Sequence, residues 1–148
     1  MLKPLVVAAS LLAAVEAPSI TTAATKFLPG VTWRSQSILT ADFSCRGRRE
    51  QAILGVTPKD IVIAVFLNGT AAPPEVLRYS GAVRGANEVK LTVESLDYDP
   101  IKDAGSGALP PGFHRSRTCK GLNLTDEMID SVHIYWNHDA KRFADWTL

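Results

Sequence analysis

The chain has little of what most enzymes and metal proteins lean on. Its histidines, His114, His133 and His138, show no metal-ligand spacing, and no third ligand is evident beside them. There is no glycine-rich phosphate loop, and serines such as Ser80 and Ser95 sit in no nucleophile elbow. No cofactor is expected from such a sequence. Charge of one sign is not in excess either: Lys and Arg number 16 against 15 Asp and Glu, a formal net charge of +1. No global field therefore draws the protein to nucleic acid, and any electrostatic function must come from local clustering. No segment keeps a helical apolar period for three turns, and the longest apolar run is too short to span a bilayer.

That run, LVVAASLLAAV at Leu5–Val15, follows Lys3 and is followed by small residues. A positive start, a short apolar stretch and small residues outline a secretory leader, with Thr22-Ala23-Ala24 as the expected cleavage site. The expected organisation is a signal peptide over residues 1–24 and a single all-β domain over residues 25–148. No cysteine sits at the cleavage point, so lipid attachment is not expected. The mature protein is expected to be periplasmic or secreted, with no membrane span.

The chain has only two cysteines, Cys45 and Cys119, and they form no CxxC. In an oxidising compartment an even pair reads first as a disulfide. Closing so long a loop would stabilise by about 4 kcal/mol on chain entropy alone.

Strand patterns dominate the rest. QAILGV is a short apolar run, and IVIAVFLNG (Ile61–Gly69) is β-branched and closed by Asn-Gly. EVLRYSG follows Pro73-Pro74. In EVKLTVESL, Val89, Leu91 and Val93 face one way while Lys90, Thr92 and Glu94 face the other. A loop rich in Gly, Pro and Asp follows, and SVHIYWN and RFADWTL flank HDAK as a hairpin. One helical turn capped by Thr125 is expected in LTDEMIDSV. These segments imply roughly seven or eight short strands in a sandwich or partly open barrel. Along the hairpin, Ile134 and Trp136 share a face, with His133 and Tyr135 on the other. Aromatics so placed usually fill a core or pair across strands, although a sugar-stacking platform is the alternative.

The stretch ADFSCRGRREQAILG (41–55) has the outline of a calcium loop running into a strand. Asp42, Ser44 and Gly47 fall in the D-x-[DN]-x-D-G register, and Glu50 follows the glycine. Arg46 stands at the third ligand position, where its permanent charge would repel a divalent cation. The acidic loop, the AILG strand and the IVIAVFLNG strand together resemble one FG-GAP or VCBS-type repeat. The resemblance implies a calcium ligand at Asp42, a weak one at Ser44 and none at Arg46. The whole chain also resembles small exported bacterial proteins with an SLDYDP…GF…C…YWN pattern, which implies no activity. Three readings stay open: a metal-free turn in which Arg46 takes the ion's place beside Asp42 and Glu50, a weakened calcium site using Asp42, Ser44 and Glu50, or no relation to calcium loops.

Both cysteines lie among cations: Arg46, Arg48 and Arg49 near Cys45, and His114, Arg115, Arg117 and Lys120 near Cys119. A bridge would gather these guanidinium forks, which suit carboxylate, phosphate or sulfate, into one anion-binding patch. Mutual neutralisation by Asp97, Asp99, Asp103, Asp126, Glu127 and Asp130 is the competing expectation. The functional reading is a non-catalytic binding module for an anionic envelope ligand or an acidic protein. The alternative is an envelope polysaccharide hydrolase acting through Asp97, Asp99 or Asp103.

Overall fold

The computed structural model describes residues 16–80, 89–105, 107–126 and 131–147. These form a short helix and two antiparallel sheets stacked face to face, and neither sheet closes into a barrel. The helix α1 spans Ile20–Phe27. The first sheet contains β1 (Thr32–Trp33), β2 (Leu39–Ala41), β3 (Glu50–Val56), β4 (Asp60–Phe66) and β5 (Glu75–Ser80). Its order is β1-β3-β4-β5, with β2 also paired to β3 beyond β1. The second sheet is the meander β6 (Lys90–Leu96), β7 (Ser116–Thr125), β8 (Val132–Asn137) and β9 (Arg142–Trp146).

Period-two alternation accounts for the layers. Ala52 and Leu54 of β3 and Ile61, Ile63 and Val65 of β4 point at the second sheet, where Leu91, Leu122, Leu124, Ile134 and Phe143 meet them. Val93 lies on the same face of β6 but is 41% exposed on this edge strand. The intervening residues Ile53, Ala64 and Phe66 face the opposite way and are covered by α1. With both faces buried, β3 and β4 need apolar residues at nearly every position, which is why IVIAVF shows no polar alternation.

α1 begins at Ser19, whose hydroxyl accepts from the Thr22 backbone N–H. Ile20, Ala23, Ala24 and Phe27 recur at helical spacing and form the stripe that packs on the sheet. Ala24 is 0% exposed. The leader boundary expected from the sequence thus falls inside the helix, between the buried Ala24 and the exposed Thr25. The turn expected in LTDEMIDSV lies largely outside the described residues. Among the described residues no helix is long and apolar enough to cross a membrane.

On its far side the second sheet carries a further apolar cluster. Leu96, Phe113, Cys119 and Tyr135 are buried there, with Tyr98 and Trp146 packed against them. The chain after β6 folds back over this face, held where Tyr135 Oη donates to the Pro111 carbonyl at 2.8 Å and the His138 N–H donates to the Gly112 carbonyl at 2.9 Å.

Candidate functional site

The loop between β2 and β3 is organised around Glu50, a carboxylate only 1% exposed. Its Oε2 accepts from the Phe43 and Ser44 backbone N–H groups at 3.0 and 2.8 Å, and the Ser44 hydroxyl donates to Oε1. Arg46 completes the set: Nη2 reaches Glu50 Oε1 at 2.9 Å and also the Leu67 carbonyl at 2.9 Å, while Nε donates to Ser44 Oγ. The guanidinium therefore stands among the oxygens of Ser44 and Glu50. Asp42 is engaged differently from the expected side-chain pair. Its two oxygens accept from the backbone N–H groups of Arg46 and Gly47 at 2.9 and 2.8 Å. Cys45 and Gly47 adopt φ values of 58° and 69°, so the chain turns tightly here, and only glycine does so without cost.

Cys45 is bonded to Cys119, with the Cα atoms 4.9 Å apart. β7 is shaped to meet it. Ser95 pairs with Lys120 but Leu96 pairs with Ser116, so Arg117, Thr118 and Cys119 arch out of the sheet. Ser116 Oγ accepts from the Thr118 and Cys119 N–H groups inside the arch, and the Lys120 N–H donates to the Asp42 carbonyl at 2.9 Å. The bridge thus joins the loop of one sheet to a bulge of the other.

The expected cations fall into distinct environments. Arg46 is consumed by its loop. Arg115 and Arg117 both sit on Asp97, at 2.8 and 3.3 Å through Nε. The hydrogen bond from Arg115, with the charges of Arg115 and Arg117, holds the Asp97 carboxyl below the usual range. Lys120 Nζ donates to the Arg117 carbonyl. Arg48 and Arg49 are exposed and make no ion pair among the described residues.

The other loop aspartates are turn-formers. Asp103 Oδ2 accepts from the Asp99 N–H at 2.7 Å, and Asp99 Oδ1 accepts from the Ile101 N–H at 3.0 Å. Asp97, Asp99 and Asp103 therefore each serve an arginine pair or a backbone turn. Of the acids after Cys119, Asp126 is engaged by a partner, and Glu127 and Asp130 lie outside the described residues. No group of three His, Cys, Asp or Glu is placed to hold a metal among the described residues.

Two features were not read from the sequence. On the outer face of the second sheet, Glu94 Oε1 lies 2.6 Å from His133 Nδ1, and Asn123 Nδ2 is 3.3 Å from both. Trp146 stacks on His133 with ring centroids 4.1 Å apart. The strand between them supplies Gly121 opposite Glu94, where a Cβ would meet the Ile134 carbonyl at 2.6 Å. Tyr98 packs beside this group. Burial, and then the Glu94 charge, push its hydroxyl up to about 12.

The second feature is a pair of adjoining cavities. One, of about 350 Å³, is lined mainly by Tyr98, Pro100, Ile101, Leu109 and Phe113. The other, of about 340 Å³, is lined by Asp97, Arg115, Ser116 and Arg117. No family model matches the chain, and no curated protein or solved structure matches it. The site stands on its own geometry.

Proposed function

We propose that the protein is an exported, non-catalytic binding module that recognises an anionic envelope ligand or an acidic protein across the surface joined by Cys45–Cys119. The observation that carries this reading is the pairing of the bridge with incomplete neutralisation. The disulfide and the Lys120–Asp42 backbone bond draw the Arg48–Arg49 segment up to the β7 bulge. There Asp97 serves two arginines at once, while Arg48 and Arg49 have no acid of their own among the described residues. A net positive surface remains on a chain whose formal charge is only +1.

Arg46 is not part of the binding surface in this reading. It fills an FG-GAP-like loop as a fixed cation, and the bridge holds the turn that a metal would otherwise hold. Export is supported by the apolar N-terminal run and by a disulfide, a bond characteristic of oxidising compartments.

The test is retention on immobilised polyphosphate across a salt gradient. The Arg48→Glu/Arg49→Glu pair and Arg117→Glu are expected to elute at clearly lower salt than the wild type, and Lys90→Glu only slightly lower. Equal losses in all three variants would leave the cations as ordinary surface.

A further inference from the structure

We propose that Arg115 makes a single site of the two adjoining cavities, and that this site takes a small amphipathic acid, an aryl or branched alkyl carboxylate. Its acid preference rests on the anion-binding reading of the same arginines; its apolar half goes beyond that reading.

Arg115 lines both cavities. On one side stand Tyr98, Pro100, Ile101, Leu109 and Phe113, with Asp99 among them accepting from the Ile101 N–H. Ile101 is 49% and Leu109 54% exposed, so two large aliphatic side chains face water at the mouth of this cavity. Tyr98 and Phe113 stand at 5.6 Å between centroids with planes tilted by 52°, a geometry that a third ring extends by edge-to-face contact. A cavity of about 350 Å³ is near the lower end of ligand pockets, and roughly twice the ~150 Å³ that holds one benzene ring. It suits a bicyclic or short branched body rather than a long acyl chain.

On the other side the charge count selects the head group. Two guanidiniums share the one Asp97 carboxylate through their Nε atoms, with side chains 61% and 86% exposed. Within this cleft one positive charge is left over, the Asp99 carboxylate of the neighbouring cavity being turned to the Ile101 N–H, so one carboxylate neutralises the cleft and accepts from the remaining donors of the forks. A polyanion would leave its further charges uncompensated here, whereas Arg48 and Arg49 lie beyond the cleft's lining. A neutral apolar molecule would leave the spare charge unused.

The probe is 2-naphthoate titrated into the full oxidised chain and followed by amide chemical shifts, with acetate and 2-naphthalenemethanol as half-molecules. 2-Naphthoate is expected to saturate, shifting residues 98–117 and binding at least about tenfold tighter than either half-molecule. Leu109→Asn is expected to weaken it about fivefold or more while leaving polyphosphate retention intact. Arg115→Gln is expected to bring 2-naphthoate down to the level of the alcohol. Both side chains are exposed, and a wild-type melting temperature confirms that each variant is folded.

Equal binding of acid and alcohol, shifts elsewhere, or undiminished binding in Leu109→Asn would overturn the assignment. So would the absence of 2-naphthoate binding at millimolar concentration. If polyphosphate retention still depends on Arg48 and Arg49 in those cases, the broader anion-binding function survives; if that dependence is lost too, both fall.

Discussion

A chain that begins at Thr25, as cleavage after Ala24 would leave it, should be measurably unstable. It lacks Ile20, Ala23 and Ala24, all buried against Ile53, Ala64 and Phe66. Burial of an isoleucine side chain and two alanine methyls stabilises by roughly 3–4 kcal/mol, and the uncovered halves of Phe66 and Ile53 add about 2 more. Ordering the five residues from Ile20 to Ala24 costs on the order of 1 kcal/mol each, part of which the helix hydrogen bonds recover. The net loss is therefore about 2 kcal/mol. In a domain of this size that lowers the melting temperature by roughly 6–10 °C. It also exposes an apolar sheet face, which should raise the fluorescence of a hydrophobic dye. Differential scanning calorimetry of chains starting at Pro18 and at Thr25 makes the comparison, and N-terminal sequencing of the protein recovered from cells expressing the full chain reads the natural boundary. A processing point before Ser19 is expected, since it keeps the cap and the helix together. Identical melting of the two chains would refute the packing argument, and a natural N-terminus at Thr25 would refute the retention of the helix.

Four shorter expectations follow from the same structure. Reduction of Cys45–Cys119, 74 residues apart in sequence, should lower stability by up to about 4 kcal/mol in chemical denaturation; an unchanged midpoint would mean the bridge constrains nothing. Glu50→Ala should cost about 3 kcal/mol, because it strips acceptors from two buried backbone N–H groups and from Arg46; a loss under 1 kcal/mol would show that water replaces the carboxylate. Millimolar calcium should leave the melting temperature where excess chelator leaves it, since the Arg46 guanidinium stands among the loop oxygens; a rise in calcium would contradict that placement. Burial and nearby carboxylates raise the hydroxyls of Tyr79, Tyr98 and Tyr135, so stability should hold up to about pH 10, where unfolded tyrosines ionise, and fall as pH rises toward 12. Tyr98→Phe should flatten that fall, and an unchanged alkaline profile in the variant would assign the loss to other groups.

Most of the sheet architecture was legible because strand signals are local. The QAILGV, IVIAVF, EVLRYS and C-terminal hairpin segments each became strands, with bounds within a few residues of the pattern. What escaped was non-local. β7 reads as a string of cations around a cysteine, and it is a strand only because β6 and β8 flank it. α1 escaped for another reason: Ile20, Ala23 and Ala24 look like the tail of a leader until Ile53, Ala64 and Phe66 supply the surface they cover.

The site divides along the same line. Spacing alone placed Asp42, Ser44, Arg46 and Glu50 in one turn, but it could not say which atoms of Asp42 and Arg46 meet. A loop of this size can satisfy a carboxylate through backbone N–H groups as well as through a guanidinium, and here Asp42 uses the former and Glu50 both. The cysteines announced their pairing, whereas the fate of each neighbouring charge depended on where Asp97 fell after β6. One aspartate further along the chain is a backbone cap instead of an ion-pair partner, as Asp99 is. The apolar cavity gave no signal, since Tyr98, Ile101, Leu109 and Phe113 are scattered through a loop without period. Their convergence is a property of how that loop folds over Leu96 and Tyr135, and the arginine that joins it to the charged cleft is adjacent in sequence to neither Tyr98 nor Leu109.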